Sequence, residues 1–243
     1  MTEPLLDIRS LRVPLPPGAD RPFAVDGLDL TLEKGEILCI VGETGSGKSL
    51  SAFATMGLLP PNLPQPSGEI RFEGRDLLRL TPTERRRLTG RRLAMVFQEP
   101  IAVLNPVYRV GEQVAEVFRL HTDMKETEIR QRVIQLFGEV RLPNPEQVVR
   151  AYPHQLSGGQ CQRVMIATAL ALDPAILIAD EPTTALDVTT QARILQLMLD
   201  LRRQHDTASF SSRTISASSP RLPTAWASCV TGNSSKSARQ RRC

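Results

Sequence analysis

The chain has no uninterrupted apolar run approaching the roughly 18 residues that a membrane span needs, although 41 % of its 243 residues are apolar. A membrane role would have to come through partners. No apolar leader opens the chain, where Glu3 and Asp7 stand instead, so no secretory signal is expected. Cysteine is scarce: Cys39, Cys161, Cys229 and Cys243 lie far apart without a C-x-x-C spacing. That excludes a zinc site of the usual spacing and a disulfide framework. Acidic residues are absent from the last 37 positions, which hold six Lys/Arg. The formal charge of +4 therefore belongs to that tail, because the rest carries 24 basic and 26 acidic groups. A slightly acidic body without basic and aromatic residues interleaved is a poor footprint for nucleic acid, and none is expected as a partner.

What the chain does have is length enough for a substantial core, as one domain or one domain plus a subdomain. It also has Gly42-Glu43-Thr44-Gly45-Ser46-Gly47-Lys48-Ser49. This run follows an apolar strand candidate, Glu36 to Val41, and precedes a helix candidate from Lys48 to about Met56. In that context G-x-x-x-x-G-K-S predicts a phosphate-binding loop. Glycines permit conformations that turn successive N–H groups inward, backed by the positive end of the next helix. Lys48 supplies charge for β- and γ-phosphates, and the Ser49 hydroxyl is placed to hold Mg²⁺.

Around this loop the patterns alternate. Residues 5–13, 23–30, 67–72 and 93–97 read as strands, and Pro14, Pro16, Pro17 and Gly18 as a loop. Arg85-Arg86-Arg87 and Arg91-Arg92 read as a solvated basic face. From about Gly111 to Ala151 the texture turns helical, with Ile129, Val133, Leu136 and Phe137 on one stripe. Ala175 to Ala179 is a continuous apolar run, as in a parallel strand buried on both faces, and it delivers Asp180-Glu181. Asp180 suits Mg²⁺ and Glu181 a general base toward water. A helix is expected from about Thr189 to Arg203.

Leu156-Ser157-Gly158-Gly159-Gln160 opens another helix, with Ser157 able to cap it and to meet phosphate. Two phosphate-directed helix starts suggest a dimer that sandwiches nucleotide between the loop of one copy and this motif of the other.

Together with Gln98 and Ala185-Leu186-Asp187, these motifs resemble the ATP-binding subunit of ABC transporters over roughly residues 5–206. The resemblance implies an α/β P-loop nucleoside triphosphatase core with a mostly parallel sheet, an N-terminal antiparallel β part and a helical subdomain at about 105–160. It implies ATP and Mg²⁺ as ligands, ATP being met by Gly42 to Ser49, Leu156 to Gln160 and Asp187, and the metal by Ser49, Gln98 and Asp180. Glu181 and Gln98 would be catalytic, and Asp187 would communicate across the dimer. The implied partners are a second ATP-binding subunit and transmembrane permease subunits, at the cytoplasmic face of the membrane. Phe97-Gln98-Glu99-Pro100, Leu104-Asn105-Pro106, Tyr152 to Ser157 and Asp180 to Thr189 look like the dipeptide/oligopeptide (and nickel) importer branch. The alternatives are a non-transport ATPase of the same family and a nucleotide-binding remnant without turnover. In the family an aromatic residue upstream of the loop stacks on adenine; here the candidates are Leu15 and Phe23. Cys161 stands where longer polar residues are common, as an inert small side chain.

The family also implies one more buried strand ending in a histidine that positions the attacking water. After Asp206 no apolar run and no suitable histidine follow: His205 falls at a helix end, and His121 and His154 lie elsewhere. Residues 207–243, with ten serines, the only tryptophan (Trp226) and no periodicity, read as disordered by composition. Permitted codons for Ala208 to Ser216 (GCC TCG TTC TCA TCA CGC ACG ATC TCG) offer a sharper reading. Read from the last base of the Ala208 codon, they spell Leu-Val-Leu-Ile-Thr-His-Asp-Leu. A frameshift near codon 208 is therefore expected to have replaced the strand and its histidine.

Overall fold

In the computed structural model residues 3–182, 186–205, 207–214, 228–233 and 236–242 are described. Strands β1 (Leu6–Pro14), β2 (Phe23–Leu32) and β3 (Ile37–Gly42) lead into helix α1 (Lys48–Met56). Then come β4 (Ser67–Phe72), β5 (Arg75–Asp76), α2 (Pro82–Leu88) and β6 (Leu93–Val96). The helices α3 (Pro100–Val103), α4 (Val110–His121), α5 (Glu126–Glu139), α6 (Pro145–Val148) and α7 (Gly158–Leu170) form the middle of the chain. The last described elements are β7 (Ile176–Asp180), α8 (Val188–His205), β8 (Ala208–Thr214), β9 (Ser228–Asn233) and β10 (Lys236–Arg242).

Two sheets result. The N-terminal one is antiparallel, in the order β2-β1-β4-β5; the larger one runs β10-β9-β3-β8-β7-β6 and is parallel except for the β9–β10 pair. Every residue of β3 and β7 is buried. Covering both faces of a parallel sheet accounts for their unbroken apolar runs. On one face Leu38, Leu93, Met95, Ile176 and Ile178 share a core with α1 and the antiparallel sheet. On the other, Ala94, Val96, Leu177 and Ala179 pack with α4, α5, α7 and α8. The helical segment thus has no core of its own, and its Ile129, Val133, Leu136 and Phe137 extend the core of the sheet.

The local signals act as their chemistry dictates. Helix α1 stops at Gly57, left-handed at φ 72°, just before Pro60 and Pro61. Helix α2 opens on a reciprocal pair of bonds, Thr81 N–H to Glu84 at 2.9 Å and Glu84 N–H to the Thr81 hydroxyl at 3.3 Å. Arg85 departs from the solvated reading. Its guanidinium reaches inward to the carbonyls of Ala54 (2.6 Å), Thr55 (2.9 Å) and Leu77 (2.7 Å), closing the open end of α1. Carbonyls orphaned at a helix end draw a cation that can donate several bonds.

The disorder expected for 207–243 is corrected in three stretches. Ala208–Thr214 enters the large sheet as β8, parallel to both neighbours, in a register running from Ile37↔Ser209 to Gly42↔Thr214 and from Ile176↔Ala208 to Asp180↔Ser212. The backbones of β9 and β10 add at the β3 edge. Between β3 and β7 lies a slot one strand wide, where unpaired N–H and C=O groups would be buried at a cost. Backbone pairing fills it whatever the side chains are. Expectations for Thr183 to Ala185, Asp206 and Trp226 fall outside the described residues.

Candidate functional site

Gly42 to Ser49 joins β3 to α1 as expected, with Gly45 and Gly47 left-handed at φ 80° and 87°. A Cβ on Gly47 would overlap the Ala24 carbonyl oxygen, so glycine is required twice over there. Gly47 caps α1 with no side-chain bond. The first N–H groups of the helix are thereby left for an anion. Glu43, Thr44 and Gly45 form the exposed rim, and Arg21, which the motif did not predict, donates to the Gly45 carbonyl.

Lys48 is only 6 % exposed. Its Nζ donates to the carbonyls of Gly42 (3.0 Å) and Glu43 (2.8 Å) and lies 3.4 Å from the Ser46 hydroxyl. Burial lowers its pKa below the ordinary 10.5, against an opposing pull from Glu181 and then Asp180. A phosphate arriving at the loop would meet a cation already held in its path.

The sheet brings the carboxylates to this loop. Ser49 Oγ donates to Asp180 Oδ1 at 2.9 Å across a separation of 131 residues. The same oxygen accepts from Ser212 Oγ at 2.5 Å, a partner that sequence reading missed because it falls in the segment expected to be disordered. Glu181 takes a left-handed φ of 44°, and its N–H donates to the carbonyl (3.3 Å) and hydroxyl (3.2 Å) of Ser212. A non-glycine residue so held beside an anion-binding loop is where functional strain gathers. Gln98 is exposed two residues beyond β6, which pairs with β7 at Val96↔Ala179, and so lies at the same end of the strands as the acids.

The residues fit Mg²⁺ shared with phosphate. A hydroxyl and a carboxylate, both hard oxygen donors, already meet at Asp180. Among the described residues no group of three or more His, Cys, Asp or Glu forms a cage.

Leu156 to Gln160 forms the start of α7. Ser157 N–H donates to Gln160 Oε1 (2.8 Å), and Gln160 N–H to the Ser157 hydroxyl (3.3 Å). Beside it, Gly158 faces a Leu186 methyl and Gly159 the Thr190 methyl, at 3.6 and 3.0 Å from where a Cβ would sit. Asp187 caps α8, accepting from Thr190 N–H at 3.0 Å; bonds from Thr190 lower its pKa. Cys161 is fully buried, contacts the Pro153 carbonyl at 3.5 Å and has its pKa raised by burial, so it is inert as expected. Among the described residues no hydrogen bond or ion pair joins Gly42–Ser49 to Leu156–Gln160. Phe23, half-buried at the start of β2, carries the Arg12 guanidinium 5.6 Å from its ring centre. His205 lies 2.6 Å from Asp173 at the end of α8, a structural contact.

A model of the ABC transporter family matches residues 25–184. A peptidoglycan transport ATP-binding protein of Agrobacterium fabrum is 48 % identical over 205 residues, covering 84 % of this chain and 38 % of its own. A dipeptide transport ATP-binding protein of Escherichia coli is 48 % identical over 188 residues, covering 77 % of this chain and 58 % of its own. The chain therefore spans between about two fifths and three fifths of the length of these relatives. Among solved structures, a dimeric ATP-binding cassette, MJ0796, in a post-hydrolysis state with ADP and phosphate superposes with a TM-score of 0.82 at 25 % identity, covering 98 % of both chains.

Proposed function

Starting from the fact that the chain belongs to the ABC transporter family, we propose that it is the ATP-binding subunit of an importer of dipeptides or oligopeptides. The Ser49–Asp180 bond of 2.9 Å carries the reading, because it joins the phosphate loop to the acidic strand end. Lys48 and the first N–H groups of α1 would hold the β- and γ-phosphates; Ser49, Asp180 and Gln98 would hold Mg²⁺. Mg²⁺ when bound offsets phosphate charge and orients the γ-phosphate. Glu181 accepts a proton from the attacking water. Phe23, whose neighbour Ala24 lies against Gly47, stacks on adenine. A second subunit lays its Leu156–Gln160 on the bound nucleotide. Substrate choice rests on the names of the relatives, which include dipeptide and oligopeptide transport ATP-binding proteins.

The permease contact has a site in keeping with it. A cleft of about 1170 Å³ between the sheet and α4 is lined by Met56, Phe97, Leu104 and Met165 and rimmed by Leu58, Val103, Tyr108 and Leu120, all four more than two fifths exposed. No described helix is long and apolar enough to cross a membrane; the reading sets the subunit at the cytoplasmic face, against its permease partners.

Strand β8 supports the frameshift reading. Ser209, Ser211 and Ser212 are buried at 6 %, 3 % and 2 % exposure in the middle of a parallel sheet, where apolar residues belong. Ser209 and Ser211 pair with Ile37 and Cys39, whose cluster with Val41, Leu195 and Leu199 is the smallest of the core. The alternative reading puts leucine at 209 and 211, on that face. It puts histidine at 214, paired with Gly42 at the start of the phosphate loop. As written, the chain binds MgATP and hydrolyses it poorly. The test is nucleotide binding by fluorescence alongside phosphate release: binding lost in Lys48→Ala with turnover near background fits, whereas robust turnover abolished by Glu181→Gln refutes the hydrolysis defect. Sequencing the gene across codons 203–216 decides the frameshift.

A further inference from the structure

Gln162 is 1 % exposed, yet among the described residues neither its Oε1 nor its Nε2 has a hydrogen-bond partner. A buried amide left this way costs the full desolvation of both groups, and such orphans ask for an explanation. Its place in the fold supplies one. Gln162 lies three and four residues after Gly159 and Gly158 in α7, and residues so spaced share a helix face. That face meets Leu186 and Thr190, the two sides of Asp187. Helical side chains lean toward the N-terminal turn, so Gln162 belongs to the face of α7 that meets the turn into α8.

Resting on the proposed nucleotide sandwich, we infer that Gln162 is a positioning residue whose amide is satisfied only in the ATP-bound dimer, by backbone groups of the Leu186–Asp187 turn. An amide both donates and accepts, so it can match a peptide group of that turn. In the free subunit the turn is held from above instead: Gln191 Nε2 donates to the Leu186 carbonyl at 2.9 Å, and Asp187 caps α8. Pressing a nucleotide-bearing partner onto Ser157–Gln160 shifts the turn onto the waiting amide. The unmet bonds of the free state thus favour association, without Gln162 itself touching the nucleotide.

The test compares the full chain, Gln162→Leu and Gln162→Glu in a Glu181→Gln background, where hydrolysis cannot dissolve the complex. Thermal melting of the free subunit and MgATP-dependent dimerisation by analytical ultracentrifugation are read together. Gln162→Leu should melt higher, by a few degrees, because an unpaired amide is removed. Its ATP-dependent dimer should be about tenfold weaker, with nucleotide affinity of the monomer unchanged. Gln162→Glu, which keeps the acceptor alone and adds a buried charge, should lower both melting temperature and dimerisation. A lower melting point for Gln162→Leu would show that water already satisfies the amide, and unchanged dimerisation would show that the turn never uses it; either overturns the inference. If the parent chain with Gln162 intact binds MgATP but does not dimerise, the sandwich reading fails first and takes this inference with it.

Discussion

Lys48 shows most directly what a single residue contributes. Its pKa is lowered because burial disfavours the ammonium more than Glu181 and Asp180 favour it. Phosphate beside it restores the charged form, so binding takes up a proton wherever the free lysine has begun to lose one. The sign follows: nucleotide affinity is full below the lowered pKa and falls as pH rises through it toward 10.5. Titrating affinity between pH 7 and 10.5 should show this decline, and Lys48→Arg, always charged, should flatten it. Arg85 tests a structural role. Removing its three bonds to carbonyls in Arg85→Met should cost about 2–3 kcal/mol in urea unfolding, since bonds from a charged donor are the stronger kind. The same guanidinium lies where a Cβ on Gly57 would go, so Gly57→Ala should destabilise through both contact and φ.

Among the elements, β8 is where local sequence and assigned place disagree. It pairs with β3 over Ser209–Thr214 and with β7 over Ala208–Ser212, but it sets serines on the face toward α8. Replacing Ser209 and Ser211 together by leucine should add burial beside Ile37, Cys39, Leu195 and Leu199. A gain of about 2 kcal/mol is expected from area alone, read as a higher urea midpoint. A lower midpoint would mean that the slot has closed around serine. Elements with a period or cap of their own were legible: Ile129 to Phe137 marked α5, Ser157 marked the start of α7, and Gly57 before the prolines marked the end of α1; the short β5 and α3, and the β9–β10 pair, carried no such signal.

For the whole molecule, the proposed function depends on surfaces that would meet other chains. Tyr108 and Leu120, 58 % and 71 % exposed on the apolar cleft rim, have no reason to be there in an isolated subunit beyond scattered surface apolarity. Tyr108→Asp with Leu120→Asp should abolish co-purification with permease subunits while MgATP binding stays intact. Loss of both together would point to misfolding instead. Binding to nucleic acid that weakens steeply with salt would favour the non-transport alternative.

The phosphate loop, the acidic strand end, the start of α7 and their β/α order were written in the sequence, because each is a short pattern whose chemistry is local: glycines for φ, a hydroxyl for a cap, apolar runs for a strand covered on both faces. What needed the tertiary structure was everything set by chain-distant neighbours. Ser49 meets Asp180 and Ser212 only because β3, β8 and β7 lie side by side. Arg85 turns inward only because α1 ends beneath it. A serine-rich segment becomes a central strand because the backbone groups of two buried neighbours must be paired. Composition argued for disorder there, and the geometry of the slot overruled it.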